Sequence, residues 1–492
     1  MTSEQFKTLC KSCDRILFHS LNPIRIANNW LHVIRPHPIF VQKYYHILFK
    51  RNDSIYLFGR LIIYLSKIIF RLLKSLHFNF FNKKISLKKE YEAIFVSNLI
   101  DRKFINDEND FYFHDISNEL FKNKKSLFIY INQTNQTINI LNTKNKQTDK
   151  TCFRDYLSIK DEIKISLKLI KEGFIIFFNI SSNSIFQKRV NLNASVESVS
   201  PSSHFNLRIG YQIYDLVKKT NPNYIFSLYE GFSWERLVFY FSKKANNKIK
   251  RIAYQHVFIF NLHHSIQRNL GKLFSPDIIL ASSNKNKNIL FDSHKIAKDK
   301  IFSIGTRRSS FSSTDNAKKK SSNTILFLPE GDTLESKSFI EMSIKAAILY
   351  PQLNIVIRFH PIIKENIQNK LLKKYNRIPS NWQNSTNELE DDLLRSKHAI
   401  YRGSSTIIKA IKYGLIPVFY KIKNELSIDP IEELNWHKQT IYSAEDIGEI
   451  LKTKNTENKK NLKYIQSKID YYMKPIDKIE LRKFKLLLNK YG

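Results

Sequence analysis

The chain has 492 residues, 42% of them apolar and 25% charged; this is more than one hydrophobic core usually holds, so two globular domains are expected, and the apolar content excludes a disordered chain. With only 11 Gly and 13 Pro, collagenous and Pro-rich architectures are excluded as well. Lys and Arg total 80 against 44 Asp and Glu, a net charge of +36, which suits phosphorylated substrates or anionic lipid headgroups. Lys, Asn, Ile and Phe are abundant from end to end and no zinc-finger or RNA-recognition spacing accompanies them, so no nucleic-acid partner is expected.

Met1 to Asp14 has no apolar core of the kind a signal peptide needs, and a cytoplasmic location is expected. Cys10 and Cys13 form a C-x2-C pair without two further ligands at matching spacing, and Cys152 stands alone; inert thiols and no metal centre are expected. The apolar run Ile55 to Phe80 carries Arg60, Lys67, Arg71 and Lys74 on one helical stripe. Four charges argue against a bilayer-spanning helix. Two readings stay open for it: a surface helix packing its apolar face on the domain, or an in-plane helix resting on anionic lipid at the inner face of the membrane. Residues 1–85 are read as an N-terminal helical, basic amphipathic extension.

Residues 86–306 alternate short apolar runs with helical stretches. Strands are predicted at Ala93 to Asn98, Ser126 to Ile131, Gly173 to Phe178, Tyr224 to Leu228, Arg251 to Tyr254, Asp277 to Ala281 and Ile301 to Ile304. Helices are predicted at Ile159 to Lys171, Phe205 to Lys218 and Trp234 to Lys244, with residues 140–152 and 188–204 as loops. The Ser- and Lys-rich residues 307–322 read as the linker. A second set follows in 323–455: strands at Thr324 to Leu328, Asn354 to Phe359, Ala399 to Arg402 and Ile416 to Tyr420, with helices between them, the cluster Glu390-Asp391-Asp392 being a solvated helix face. Charged helices fill 456–492, and no internal repeat is apparent. The rhythm implies mostly parallel sheets, whose ligands sit beyond the carboxyl ends of the strands.

Four strand ends carry candidate chemistry. Arg402-Gly403-Ser404-Ser405-Thr406 offers a tight turn, hydroxyls and helix-opening N–H groups to a phosphate, against the plainer reading of a helix cap. Arg358-Phe359-His360-Pro361 leaves an imidazole at a sheet edge, placed to hold a donor phosphate or assist a leaving group. Pro329-Glu330-Gly331-Asp332 places a Gly and two acids where backbone can approach a substrate, or where Asp332 caps the next helix. In the first half, Glu230-Gly231 and Gln255-His256 close consecutive predicted strands, so that Glu230 and His256 supply a carboxylate and an imidazole for general-base work, while Glu235 and Arg236 read as a paired set of helix charges.

The order of Glu230-Gly231, His360-Pro361 and Ser404-Ser405 resembles GT-B glycosyltransferases. More narrowly it is similar to the bacterial sialyl-, polysialyl- and Kdo-transferases and glycerophosphotransferases of surface-polysaccharide assembly. The resemblance covers residues 220 to 455 and implies an α/β, GT-B-like fold, with two Rossmann-like lobes whose parallel sheets face a central cleft. It further implies a nucleotide-sugar donor, CMP- or CDP-linked, used without metal or other cofactor, and a carbohydrate or lipid-linked acceptor. Glu230 would activate the acceptor; His360 would contact the donor phosphate; Arg358, Gly403, Ser404, Ser405, Thr406, Glu330 and Gly331 would line the donor site. Two positions depart from the pattern: Val257 follows His256 where glycerophosphotransferases have Gly, and Lys409 stands where many GT-B enzymes place a ribose-binding Glu. The alternatives are a glycerophosphotransferase or nucleotide-sugar epimerase on the same fold, or a non-catalytic assembly protein.

Overall fold

The computed structural model describes residues 1–490 except 34–37, 51–53, 82–89, 106, 108, 123, 135–147, 180–183, 295, 308–322 and 454. The first lobe is built on β1 (Ala93–Leu99), β2 (Ser126–Asn132), β3 (Thr148–Cys152), β4 (Tyr224–Leu228), β5 (Lys250–Gln255), β6 (Ile278–Ala281) and β7 (Ile301–Ser303). These strands form one parallel sheet in the order β3-β2-β1-β4-β5-β6-β7. Strands buried on both faces read as continuous apolar runs, as β1 and β4 do. Phe95 stacks between Phe128 and Phe226 of the flanking strands, at 4.7 and 4.5 Å, which pins the register of the sheet centre.

The second lobe is a parallel sheet of β8 (Thr324–Leu328), β9 (Asn354–Ile357), β10 (Trp382–Asn384), β11 (His398–Tyr401), β12 (Ile416–Tyr420) and β13 (Gln439–Ile441), in the order β10-β9-β8-β11-β12-β13. Two Rossmann-like lobes in this arrangement give the α/β, GT-B-like class expected. Helices α1 (Ser3–His19), α2 (Pro23–Ile26), α3 (Pro38–Tyr45), α4 (Ser54–Phe81), α5 (Ile116–Leu120), α6 (Ile159–Asn179), α7 (Ile185–Ser198), α8 (Pro201–Thr220), α9 (Ser233–Ala245), α10 (His264–Gln267), α11 (Gly271–Phe274) and α12 (Asn284–His294) belong to the first lobe. Helices α13 (Thr333–Leu349), α14 (Glu365–Leu372), α15 (Leu389–Arg395), α16 (Thr406–Lys412) and α17 (Ile447–Lys452) belong to the second, followed by α18 (Asn455–Tyr472) and α19 (Lys478–Asn489). No described helix is long and apolar enough to cross a membrane.

Three expectations are corrected. Gly173 to Phe178 is not a strand but the end of α6: Phe174, Phe177 and Phe178 face outward while Gly173 lies against the Ser195 carbonyl of α7, so the run is apolar on both sides of a helix. Residues 188–204 are not a loop; they are α7 and the start of α8, capped by Ser200 with Pro201 in its first turn. Five of the eight buried residues of α7 are polar, with Gln187 bonded to Asn191, Ser198 to the Ala194 carbonyl and Asn193 to the Arg189 carbonyl, so no continuous apolar stripe betrays the helix. Residues 148–152, expected in a loop, form β3, a strand with one apolar residue in five; the rest of that expected loop, like 308–322 of the linker, lies outside the described residues.

The N-terminal segment is part of the first lobe rather than an appendage. Phe6, Leu9, Cys13 and Ile16 share one core with Ile94 and Phe95. The Arg25 guanidinium is fully buried on Glu172 at 2.5 Å. Burial pushes the Cys10 thiol up to about 12 and Cys13 well above its ordinary value, so neither is ionised at neutral pH. The chain's end also returns. Helix α18 packs on the second lobe through Ile465, Ile469 and Tyr472, then Thr306 N–H donates to Lys474 O at 2.9 Å and Asp477 N–H to Ile304 O at 2.8 Å. Helix α19 thereby docks on the first lobe, where Phe484 meets Phe302 and Phe226 and the Tyr224 hydroxyl donates to Leu488 O.

Three buried imidazoles make the fold acid-sensitive. Burial holds His204 and His294 down to about 3 and His398 down to about 4, with Arg71 and Arg208 beside His204, Arg236 beside His294 and Lys397 beside His398 adding to the effect. Their stability contribution is intact above the unfolded value of about 6.5 and is lost as pH falls through the window down to about 3 for His204 and His294 and about 4 for His398. At pH 5 each costs about 2 kcal/mol. Thermal melts are expected to drop steadily from pH 7 to pH 5; a flat profile there contradicts the assignment.

Candidate functional site

Glu230 and His256 follow β4 and β5, neighbouring parallel strands, and so come to lie side by side: His256 Nε2 is 3.5 Å from Glu230 Oε1. Both are nearly buried. The turn carrying Glu230 is fixed from α9, where the fully buried Glu235 carboxylate accepts the N–H groups of Glu230, Gly231 and Phe232 at 2.8–3.0 Å. Gly231 holds a φ of +92°, and a Cβ there would lie 2.5 Å from Ile266 N. Only glycine fits. Glu235 therefore does not pair with Arg236 as expected: Arg236 is fully buried, donates to the Ser265 and Arg268 carbonyls and lies over the Tyr229 ring.

Two neighbours complete this group. The Tyr112 ring meets His256 edge-on at 4.8 Å, and its backbone is held by Asp110, whose buried carboxylate accepts from Tyr112 N–H, Phe113 N–H and the Ser97 hydroxyl. His263 Nε2 lies 3.0 Å from the Glu230 carbonyl. Neither neighbour was apparent in the sequence, since both sit in irregular segments with no motif of their own.

The second group forms at the carboxyl ends of β9, β8 and β11, three adjacent strands. His360 follows β9, Glu330-Gly331 follow β8 and Gly403-Ser404 follow β11. A Cβ on Gly331 would touch His360 Nδ1 at 3.0 Å, and one on Gly403 would overlap the Glu330 carboxylate. The four positions are thus contiguous. His360 is exposed, and its Nδ1 accepts the Ile362 N–H at 3.2 Å, so the neutral ring carries its proton on Nε2. Ser404 is buried, Ser405 exposed and Thr406 half-buried. No side chain caps α16, whereas Asp332 does cap α13 through Glu335 N–H.

Other candidates have structural partners. Arg358 Nη1 lies 2.9 Å from Asp392 and also donates to Asn387 O. Asp392 is not on a solvated face: it is fully buried and also accepts from Arg395 and Ser385. Glu390, from the same cluster, pairs with Lys409, so the cation at the departing position is matched by a carboxylate from α15.

The two lobes repeat one device. Glu330 N–H donates to Glu335 at 3.1 Å, as Glu230 N–H does to Glu235. Each lobe thus carries Glu-Gly-x-x-x-Glu between a strand and a helix, a short repeat at an offset of one hundred positions where no internal repeat is expected from the sequence. In the second lobe Glu335 also faces Arg402 at 3.6 Å, which ties the α13 turn to the Ser404 turn. The lobes meet where the segment after His256 inserts Phe258 and Phe260 among Leu328, Tyr401 and Ile428, so the carboxyl ends of β5, β8 and β11 adjoin one boundary. Lys285 closes it, 3.0 Å from Glu433 and over the rings of Phe258 and Tyr472.

No protein-family model and no curated protein matches the chain. Among solved structures it is similar to a UDP-N-acetylglucosamine 2-epimerase, at 12% identity and TM-score 0.46, over 82% of this chain and 97% of the other. It is also similar to a calicheamicin glycosyltransferase, at 9% identity and TM-score 0.46 over 82% and 98%, and to a variant of a wall teichoic acid polymerase, at 11% and 0.43 over 89% and 98%.

Proposed function

We propose that the chain is a glycosyltransferase that moves a sugar from a nucleotide-activated donor, CMP- or CDP-linked, to a hydroxyl of a surface-polysaccharide or lipid-linked acceptor, working at the inner face of the cytoplasmic membrane. The observation that carries this reading is the pairing of two strand-end groups at one interlobe boundary: a buried carboxylate–imidazole pair on the first lobe and an imidazole, glycine and hydroxyl cluster on the second.

In this reaction the acceptor oxygen attacks the anomeric carbon as the bond from that carbon to the phosphate oxygen breaks. Glu230 takes the acceptor proton, with His256 beside it to hold the carboxylate in place. The electron pair of the broken bond stays on the phosphate, where the His360 Nε2–H, the Ser404 and Ser405 hydroxyls and the N–H groups opening α16 meet it. Helix α16 spans only seven residues, so local donors rather than a long helix dipole carry this stabilisation. These donors replace a divalent cation in the proposal, and turnover is expected to persist in EDTA.

The direct test is a thermal-shift and calorimetric titration with CMP, CDP, UDP and GDP. One of them should bind, and Ser404→Ala with Ser405→Ala should weaken that binding about ten-fold or more, from the loss of two hydrogen bonds of about 1 kcal/mol each. Equal affinity in the double variant, or no nucleotide bound by the parent, sinks the donor site. The Glu230–His256 contact also favours a second reading, glycerophosphoryl transfer, in which the same base serves attack at phosphorus; a glycerophosphorylated rather than a glycosylated product separates the two.

A further inference from the structure

Helix α4 is inside out with respect to a packed surface helix. Its polar anchors point inward: Arg60 is buried in an ion pair with Glu197, Tyr64 OH donates to the same carboxylate at 2.9 Å, and Ser75 Oγ donates to Leu157 O at 2.6 Å. These three positions share one face at about 100° per residue, so they set the rotation of the helix about its axis. The opposite arc is apolar and bare. Ile55 is 85% exposed and Phe58 64%, with Ile62, Ile69 and Leu73 each at least half exposed. Neither reading of the charged stripe anticipated that two of its members, Arg60 and the half-buried Arg71, would face the protein.

Helix α6 packs beside α4 and repeats the pattern. Leu167, Phe174 and Phe178 are exposed, the last at 70%, and with Ile170, Lys171 and Ile175 they form an open, mostly apolar face along the helix. Its acids turn inward: Glu162 is fully buried and Glu172 is held by Arg25. Three of its four lysines, Lys160, Lys164 and Lys171, turn outward, as do Lys67 and Lys74 of α4, while Lys168 is half-buried on the Tyr211 hydroxyl. Helix α4 contains no acid, and the only acid of α6 outside the interior, Asp161, sits in its first turn.

From this we infer that α4 and α6 form the surface on which the protein lies on an anionic lipid bilayer, with both helix axes in the membrane plane and their apolar arcs among the acyl chains. Transfer of the exposed Ile, Leu and Phe side chains from water to acyl chains is favourable, and lysines at the margins of such a face select anionic headgroups. A second copy of the chain is the less suitable occupant: two identical faces would bring the five lysines of each against one another with only Asp161 from each α6 to answer them. The inference deepens the membrane-contact part of the proposed function and does not depend on the nucleotide site.

The test is co-sedimentation of the full chain with vesicles of phosphatidylcholine alone and of phosphatidylcholine with phosphatidylglycerol. Binding is expected to the mixed vesicles, at least about ten-fold tighter than to phosphatidylcholine. Ile69→Gln, Leu73→Gln and Phe174→Gln together should weaken it about ten-fold or more while leaving the thermal melt and nucleotide titration unchanged, because all three side chains point to solvent. Lys67→Glu with Lys74→Glu should abolish the preference for phosphatidylglycerol. No binding of the parent to the mixed vesicles, equal binding by the triple variant, or a dimer by light scattering that the triple variant dissociates would each overturn the inference, the last in favour of a second copy.

Discussion

If the proposed reaction holds, Glu230→Gln is expected to lower the rate of sugar transfer by about 10²–10⁴-fold while leaving donor affinity within about two-fold, because the proposal makes Glu230 the general base and gives it no contact with the donor. The substitution is nearly isosteric, and the turn that carries it is held by Glu235 through backbone N–H groups alone, so the fold should survive. Its neighbour makes a useful control. Glu235→Gln keeps the side-chain size but withdraws a negative charge from three backbone donors, so it should lower both the rate and the melting temperature. Full transfer activity in the Glu230 variant would move the base to His256, which lies 3.5 Å away.

The largest effect on stability is expected at Gly305→Ala. Gly305 has a φ of +83°, and a Cβ there would overlap the Pro475 carbonyl and lie 2.8 Å from the Lys474 carbonyl. Left-handed backbone costs a non-glycine residue about 1–2 kcal/mol, and the overlap is with main chain, which has no rotamer through which to escape. A total loss of about 3 kcal/mol or more is expected, read as a lowered urea midpoint. Limited proteolysis should also cut between α18 and α19 in the variant, since the crossing of Thr306 on Lys474 and of Asp477 on Ile304 is what the new methyl group displaces. An unchanged midpoint with protected termini would mean that this crossing relaxes freely.

The parts of this fold that could be read from the sequence are those where a buried face coincides with an apolar pattern. Strands such as Tyr224 to Leu228 and Thr324 to Leu328 are buried at every position, and the motifs at their ends were visible because a strand followed by Gly and an acid is itself a signal. What escaped has two causes. Helix α7 buries Gln187, Asn191, Asn193 and Glu197, so its interior looks like a loop in composition. The end of α6 leaves Phe174, Phe177 and Phe178 to solvent, so its exterior looks like a core strand. Partnerships across the chain were beyond reach in the same way: nothing local ties Arg60 to Glu197, Arg358 to Asp392 or Tyr112 to His256. The Glu-Gly-x-x-x-Glu repeat is the exception, a signal present in the letters whose meaning depends on the second glutamate reaching back to the N–H of the first.

The return of α19 to β7 bears on how the molecule is made. A ribosome delivers the seven strands of the first sheet before the second lobe, yet Phe226, Phe302 and Tyr224 wait for Phe484 and Leu488 until that whole lobe has been made. Through that interval an apolar face of the nascent chain stays uncovered while the second lobe emerges, which makes it a natural stretch for chaperone holding. It also means that a stop codon just short of Lys478 leaves the second sheet whole and damages the first lobe instead.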